Sequence, residues 1–359
     1  MDSVMTVTSL FILAVSGYFA VRLHGMRAVR PLRRLRAALT PRRSGTGVSP
    51  LGGMCMALAG TLGVGNIAGV ATALWLGGPG AIFWMIFSGL AVTVLKYAEI
   101  VLAIRHRRRT ANGTVGGAPY YISDLLFARG HAGAGRLLAC LFAWLCLLNA
   151  LTMGSVLQIN AAASALHGAF GLPPLVTGLT AAGLCAVVMS GGASRIAALT
   201  ERLVPFISIA YILLCAVMLV LRWREIPAAY ASIAAGAFSP RAVTGGALGS
   251  AYQALRIGCS RGVFTNEAGM GTASIAHASA EVSHPAEQGL MGIMEVFLDT
   301  ILMCTLTALV ILVSGVPVPY GRDVGVELTT KAFAAVYGDF APVFIAVSLV
   351  CFAFATVLG

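Results

Sequence analysis

The sequence predicts an all-α polytopic membrane protein built as two repeats in inverted orientation, each opening with a discontinuous helix. Three observations carry that expectation. Of the 359 residues, 58% are hydrophobic and only 10% charged, too few charges to solvate a soluble chain of this length. Nine apolar segments, near 4–23, 49–76, 81–104, 136–166, 174–190, 195–221, 246–278, 288–314 and 340–359, approach or exceed the roughly 20 residues a helix needs to cross hydrocarbon. The second and the seventh are interrupted by glycine-rich polar runs where continuous helix would be expected.

The first segment has no basic stretch before its apolar run; the positive charge follows it, so it reads as a signal anchor rather than a cleaved leader. Eight of the 24 basic residues fall between Arg22 and Arg43. Such clusters beside a membrane helix set orientation and attract anionic headgroups, which accounts for the net charge of +11 without a nucleic-acid partner. The expected surroundings are the lipid bilayer. The positive-inside rule puts this linker in the cytoplasm, joined after two crossings by Arg105, Arg107, Arg108 and Arg109, and later by Arg195; Arg222 and Arg224 depart from it. Residues 1–48 are thus an N-terminal anchor helix and basic cytoplasmic linker. Residues 49–359 form the core, with a first repeat over 49–222 and a partial second repeat over 246–359. The eight cysteines lie in apolar segments without Cys-x-x-Cys spacing and read as small buried hydrophobes.

In the second segment Gly60, Gly63 and Gly65 each weaken a helix by about 1 kcal/mol relative to alanine, and Thr61 and Asn66 are poor interior residues. Backbone freed at membrane depth survives only if it is buried in protein or lines a cavity that holds an ion or solute. Close helix packing through Gly65 and Gly69 explains the glycines but not Asn66. In the third segment Lys96 and Glu99, three residues apart, are expected to pair with each other. In the fourth, Asn149, Gln158 and Asn160 interrupt a long apolar helix; Gln158 serves either an interhelical hydrogen bond or a substrate contact.

The seventh segment carries Arg261-Gly262-Val263-Phe264-Thr265-Asn266-Glu267-Ala268-Gly269-Met270-Gly271-Thr272-Ala273-Ser274. Its likeness to the first break suggests two repeats of five helices, each opening with a broken one. Glu267 is expected in a structural network, as a cap or as a partner of Arg261, with direct coordination the competing role. Asp299, in the middle of the eighth segment, needs a cation, a proton or hydrogen-bonding partners. His277 reads as a hydrogen-bonded core residue.

Several blocks resemble one family. They are Gly63-Val64-Gly65-Asn66-Ile67-Ala68-Gly69-Val70-Ala71-Thr72-Ala73, Leu76-Gly77-Gly78-Pro79-Gly80-Ala81-Ile82-Phe83-Trp84-Met85, Lys96-Tyr97-Ala98-Glu99, Gly116-Gly117-Ala118-Pro119-Tyr120-Tyr121-Ile122, and Phe264-Thr265-Asn266-Glu267-Ala268-Gly269-Met270-Gly271 with Ile275-Ala276-His277-Ala278. In order, and over nearly the whole chain, they are similar to the alanine or glycine:cation symporter family. The resemblance implies a LeuT-type inverted-repeat transporter fold and no enzymatic activity or cofactor. It implies import of a small neutral amino acid, alanine or glycine, with sodium or less often a proton, at the bacterial inner membrane.

On the same resemblance, Thr61, Gly63, Gly65, Gln158, Thr265, Asn266 and Gly269 are expected to bind substrate, and Asn66, Gly60, Thr356 and Asp299 the ion. Gly63-Val64-Gly65-Asn66 also resembles the Gly-x-Gly-Asn of neurotransmitter:sodium symporters, whose asparagine helps bind sodium. Two positions depart from the family: Val64, where threonine is frequent, and Ala355, where a hydroxyl residue commonly precedes the threonine, so that a second sodium site there loses an oxygen. The family continues beyond the position of Gly359, so the second repeat reads as incomplete and a non-functional truncated transporter is an alternative. A polytopic membrane enzyme is a weaker one, because no Ser-His or Cys-His constellation accompanies the breaks.

Overall fold

In hydrocarbon a chain can satisfy its own backbone only as helix or closed barrel, and this chain takes the first course. The computed structural model describes residues 2–23, 48–110, 113–238, 251–318 and 325–359. Most of the basic linker after Arg22 and the expected start of the second repeat at Gly246 lie outside the described residues.

The anchor is helix α1 (Asp2–Arg22). Ser49 then accepts a hydrogen bond from the Gly52 N–H at 2.8 Å and Pro50 fixes the first turn, which starts α2 (Pro50–Thr61). A π-helical turn over Gly65–Gly69 leads into α3 (Val70–Gly77), and the two halves are bent by 55°. Gly78, at φ 69°, ends α3, and α4 (Gly80–Arg105) follows. A short antiparallel hairpin, β1 (Arg108–Thr110) with β2 (Gly113–Val115), connects to α5 (Ala118–Ala128).

Next, α6 (Ala132–Asn149) continues through a π-helical stretch, Ala150–Val156, into α7 (Leu157–Phe170). Then come α8 (Pro174–Met189), α9 (Gly192–Leu221) and α10 (Ile226–Phe238). The second broken region comprises α11 (Ala251–Asn266) and α12 (Ala273–Ala278). Between them Glu267, Gly269 and Gly271 have φ of 53°, 85° and 74°, which no helix accommodates. The chain then runs through α13 (Pro285–Val296), a π-helical stretch at Phe297–Cys304, α14 (Thr305–Val313), α15 (Gly325–Tyr337) and α16 (Phe340–Leu358).

Among the described residues six helices, Met5–Arg22, Gly80–Arg105, Ala132–Phe170, Gly192–Leu221, Pro285–Val313 and Phe340–Leu358, are long and apolar enough to cross a membrane; the bent α2–α3 pair makes a seventh if counted as one span. Each of the nine expected segments is mainly helical where described, the second and seventh apart from their breaks. The difference arises because α8 has only 16 residues and the seventh segment is divided into two short helices. Leu141, Trp144, Leu175, Val187 and Phe206 point outward from α6, α8 and α9, the apolar band that a lipid surround requires.

Close packing at the centre depends on missing side chains. A Cβ on Gly258 or Gly262 of α11 would strike α4 at Ala81, Trp84, Met85 or Ser88, so these two glycines let the helices approach nearly to backbone contact. Tyr211, Phe333 and Phe352 from α9, α15 and α16 fill the core beside them, and Tyr211 bonds Thr307 through its hydroxyl at 2.8 Å.

Candidate functional site

The first break is held by side chains from distant helices. Leu62 is extended, with ψ 100°, which turns the backbone away from the axis of α2. Gln158 on α7 accepts the Val64 N–H at 3.1 Å, and Thr356 on α16 donates to the carbonyl of Leu62 at 3.3 Å. Gly63 lies between these two: an added Cβ would come within 2.7 Å of Gln158 Oε1 and 3.0 Å of Thr356 Oγ1. Glycine here answers a need for space rather than a left-handed backbone.

Beside this break is a cavity of about 170 Å³. Gly60, Thr61 and Gly65 line it from the first broken helix, Gln158 from α7, Thr265 from the second broken helix and Thr356 from α16. Arg261, Phe264 and Glu267 complete the wall on the α11 side. Both breaks and two further helices, α7 and α16, therefore meet around one space. The three π-helical stretches also carry residues of this region: Gly65 and Asn66 in the first, Met153 and Gly154 in the second, Asp299 in the third. Such turns widen a helix and expose backbone that a regular turn would hide.

One layer behind the wall, Asn66 and Asp299 are almost wholly buried. The Asn66 amide donates to Asp299 Oδ1 at 2.7 Å and to the Asp299 carbonyl at 3.2 Å, while its Oδ1 accepts the Gly63 N–H at 3.0 Å. Thr300 donates to Asp299 Oδ2 at 2.8 Å. Among the described residues no Lys, Arg or His nitrogen pairs with Asp299, so two neutral donors face a buried carboxylate. Of the cation, proton or hydrogen-bonding partners that a buried Asp299 requires, the structure supplies the last, from Asn66 and Thr300.

Other expected residues fall elsewhere. Asn266 adjoins Thr265 but turns to the opposite side of α11. Its amide donates to the Gly262 carbonyl at 2.7 Å and to Thr300 at 3.3 Å, and its Oδ1 accepts the Ala268 N–H at 3.0 Å. Gly269 packs against Ile12 and Leu95. Neither lines the cavity: Asn266 points about 100° away from Thr265, which shares a face with Arg261 four residues before it, and Gly269, at φ 85°, lies beyond the helix.

The expected Lys96–Glu99 pairing gives way to longer-range partners. Lys96 Nζ lies 2.9 Å from Glu295 Oε1, and Glu99 accepts backbone N–H groups of Gly269 and Gly271. Lys96 meets Glu295 across the interface between helices rather than Glu99 on its own helix. Glu267 accepts from Thr272 Oγ1 and also faces the cavity, since with φ 53° it lies beyond the helical run that ends at Asn266. His277 is a bonded core residue, with Nε2 at 2.9 Å from Glu295 and Nδ1 at 2.7 Å from Gln288. Among the cysteines, Cys55, Cys185, Cys215, Cys259 and Cys304 are buried, whereas Cys140 is exposed on the outward face of α6.

Comparison with known proteins points to one family. The sequence model of the sodium:alanine symporter family matches residues 1–359. The sodium/alanine symporter AgcS of Methanococcus maripaludis is 40% identical over 314 residues, which are 87% of this chain and 68% of that protein. An uncharacterised transporter of Haemophilus influenzae is 38% identical over 358 residues, 98% of this chain and 76% of its own length. Among solved structures, a manganese transporter of Eremococcus coleocola aligns with a TM-score of 0.52 at 12% identity, over 89% of this chain and 65% of that one. That likeness concerns the fold alone.

Proposed function

The chain belongs to the sodium:alanine symporter family of cation-coupled amino-acid transporters, and we propose that it imports a small neutral amino acid, alanine or glycine, together with sodium across a bacterial inner membrane. It is a multi-pass membrane protein and not an enzyme. The observation that carries the proposal is the buried Asn66–Asp299 pair behind a solute-sized cavity formed at two helix breaks.

Size supports the solute class. A cavity of about 150 Å³ accommodates benzene, whose six non-hydrogen atoms equal those of alanine. The cavity here, at about 170 Å³, has room for alanine or glycine. Chemistry supports the pairing of solute and ion. Backbone N–H groups at a break can hold a carboxylate, and carbonyls with side-chain oxygens can hold sodium. Asp299, Asn66 and Thr300 are the oxygen-bearing groups proposed for the ion, with Gly60 and Thr356 on the α16 side of the break. Thr61, Gly63, Gly65, Gln158 and Thr265 are proposed for the solute. A LeuT-type arrangement accounts for this pattern, with the broken helices rocking against the remainder to open the cavity alternately to either side.

The proposal is tested by reconstituting the protein in liposomes and following alanine and glycine uptake with an inward sodium gradient. Accumulation that collapses when the gradient is abolished is expected. Equal uptake with and without it would overturn the reading.

A further inference from the structure

Lys96 is fully buried on α4, and its ammonium has two direct partners: the carbonyl of Asn266 at 2.8 Å and Glu295 Oε1 at 2.9 Å. Asn266 is the last residue of α11, so that carbonyl is among those a helix leaves without an internal partner, at the negative end of its dipole. One turn along α4, Glu99 takes the complementary role and accepts the N–H groups of Gly269 and Gly271 beyond the break. A single face of α4 therefore offers a cation to the end of one half-helix and an anion to the amides leading into the next.

The contact chain continues away from the break. Glu295 Oε2 accepts from His277 Nε2 at 2.9 Å, and His277 Nδ1 accepts from Gln288 Nε2 at 2.7 Å; these partners assign the imidazole proton to Nε2. The Gln288 amide also donates to the Pro50 carbonyl at 3.1 Å, in the first turn of α2. Lys96, Glu295, His277 and Gln288 are all buried. A backbone bridge between Val48 and Ala280, with the Glu281 N–H 2.8 Å from the Val48 carbonyl, joins the same two regions at their ends. Close approach is possible because Gly53 presents no side chain to Ala280 and Gln288.

We propose that Lys96 is a positioning residue for transport: its tethered ammonium holds the second break in shape where a bound cation would otherwise be needed. Through Glu295, His277 and Gln288 it also couples that break to the start of the first broken helix, so the two move as one body. The inference rests on the transport reading above. None of the four side chains lines the solute cavity, so replacing them alters the motion and leaves the solute contacts in place.

Two variants at opposite ends of the chain test it. Lys96→Met combined with Glu295→Met removes both charges of the pair together, so that neither partner is left buried without the other. Gln288→Leu keeps the ion pair and cuts the link to Pro50. Equilibrium alanine binding and initial uptake rate are measured side by side in each folded variant, and either variant suffices if the other fails to fold. Both are expected to bind alanine within about threefold of the unaltered protein yet take it up about tenfold more slowly, as residues along a coupling network do. Uptake within about twofold of the unaltered protein, or binding lost in proportion to uptake, would overturn the inference. If the unaltered protein itself shows no gradient-driven uptake, the transport reading is what fails.

Discussion

Asn66 and Asp299 meet at 2.7 Å, an amide from the first broken helix against a carboxylate from the π-helical stretch between α13 and α14. The same asparagine accepts the Gly63 N–H, so the shape of the break and the position of the carboxylate are set by one side chain. The Asp299 carboxylate and the geometry of the cavity are thereby linked through a single residue.

Asp299→Asn removes the charge and keeps the shape. Sodium activation of uptake is expected to move to concentrations about tenfold higher or more, since a hydrogen-bonded or coordinated charge contributes on the order of 1.5–3 kcal/mol. A sodium activation curve in proteoliposomes provides the measurement, and an unshifted curve would remove Asp299 from the ion site.

Gly63→Ala introduces a methyl group at 2.7 Å from Gln158 Oε1 and 3.0 Å from Thr356 Oγ1. Overpacking of this kind costs about 1–3 kcal/mol and should raise KM for alanine sharply. Gln158→Ser on the same background makes room, and partial recovery in the double variant relative to Gly63→Ala marks the clash as the cause. Additive losses would place the defect elsewhere.

Gln158→Leu retains most of the side-chain volume but leaves the Val64 N–H without its acceptor. An unsatisfied buried donor costs about 1–3 kcal/mol, so thermal stability should fall and, with the break displaced, affinity for alanine should fall roughly tenfold as well. Isothermal binding together with a melting curve separates the two effects.

Gly262→Leu drives a branched side chain into Ser88 and Met85 of α4. Here stability is expected to suffer before function, with a loss of about 3 kcal/mol or more because backbone as well as side chains must move. A fall in the melting temperature of the detergent-solubilised protein checks this; an unchanged value would mean that the two helices are less tightly apposed.

The breaks were legible because their causes are local. Gly60, Thr61, Gly63, Gly65 and Asn66 are each poor helix formers, and the structure bends there by 55°. Gln158 stood out as a polar group in an apolar helix and Thr356 through the family resemblance, and both line the cavity. The partner of Lys96 was not legible. Spacing along one helix favours Glu99, whereas Glu295 comes within 2.9 Å only after α13 has packed across α4. The short helices α5, α10 and α15 escaped an analysis based on long apolar runs, since they connect or buttress the spans rather than cross hydrocarbon by themselves.

What the sequence by itself determined was the solvent and the weak points: enough apolar residues to require lipid, and two glycine-rich runs unable to remain helical within it. Only the tertiary structure decided which polar groups answer one another. Asn66 found Asp299, Lys96 found Glu295, and Thr265 rather than Asn266 turned to the cavity. Burial makes pairing of a polar group obligatory, but the choice among partners depends on which helix faces come together, and that exists only once the helices have packed.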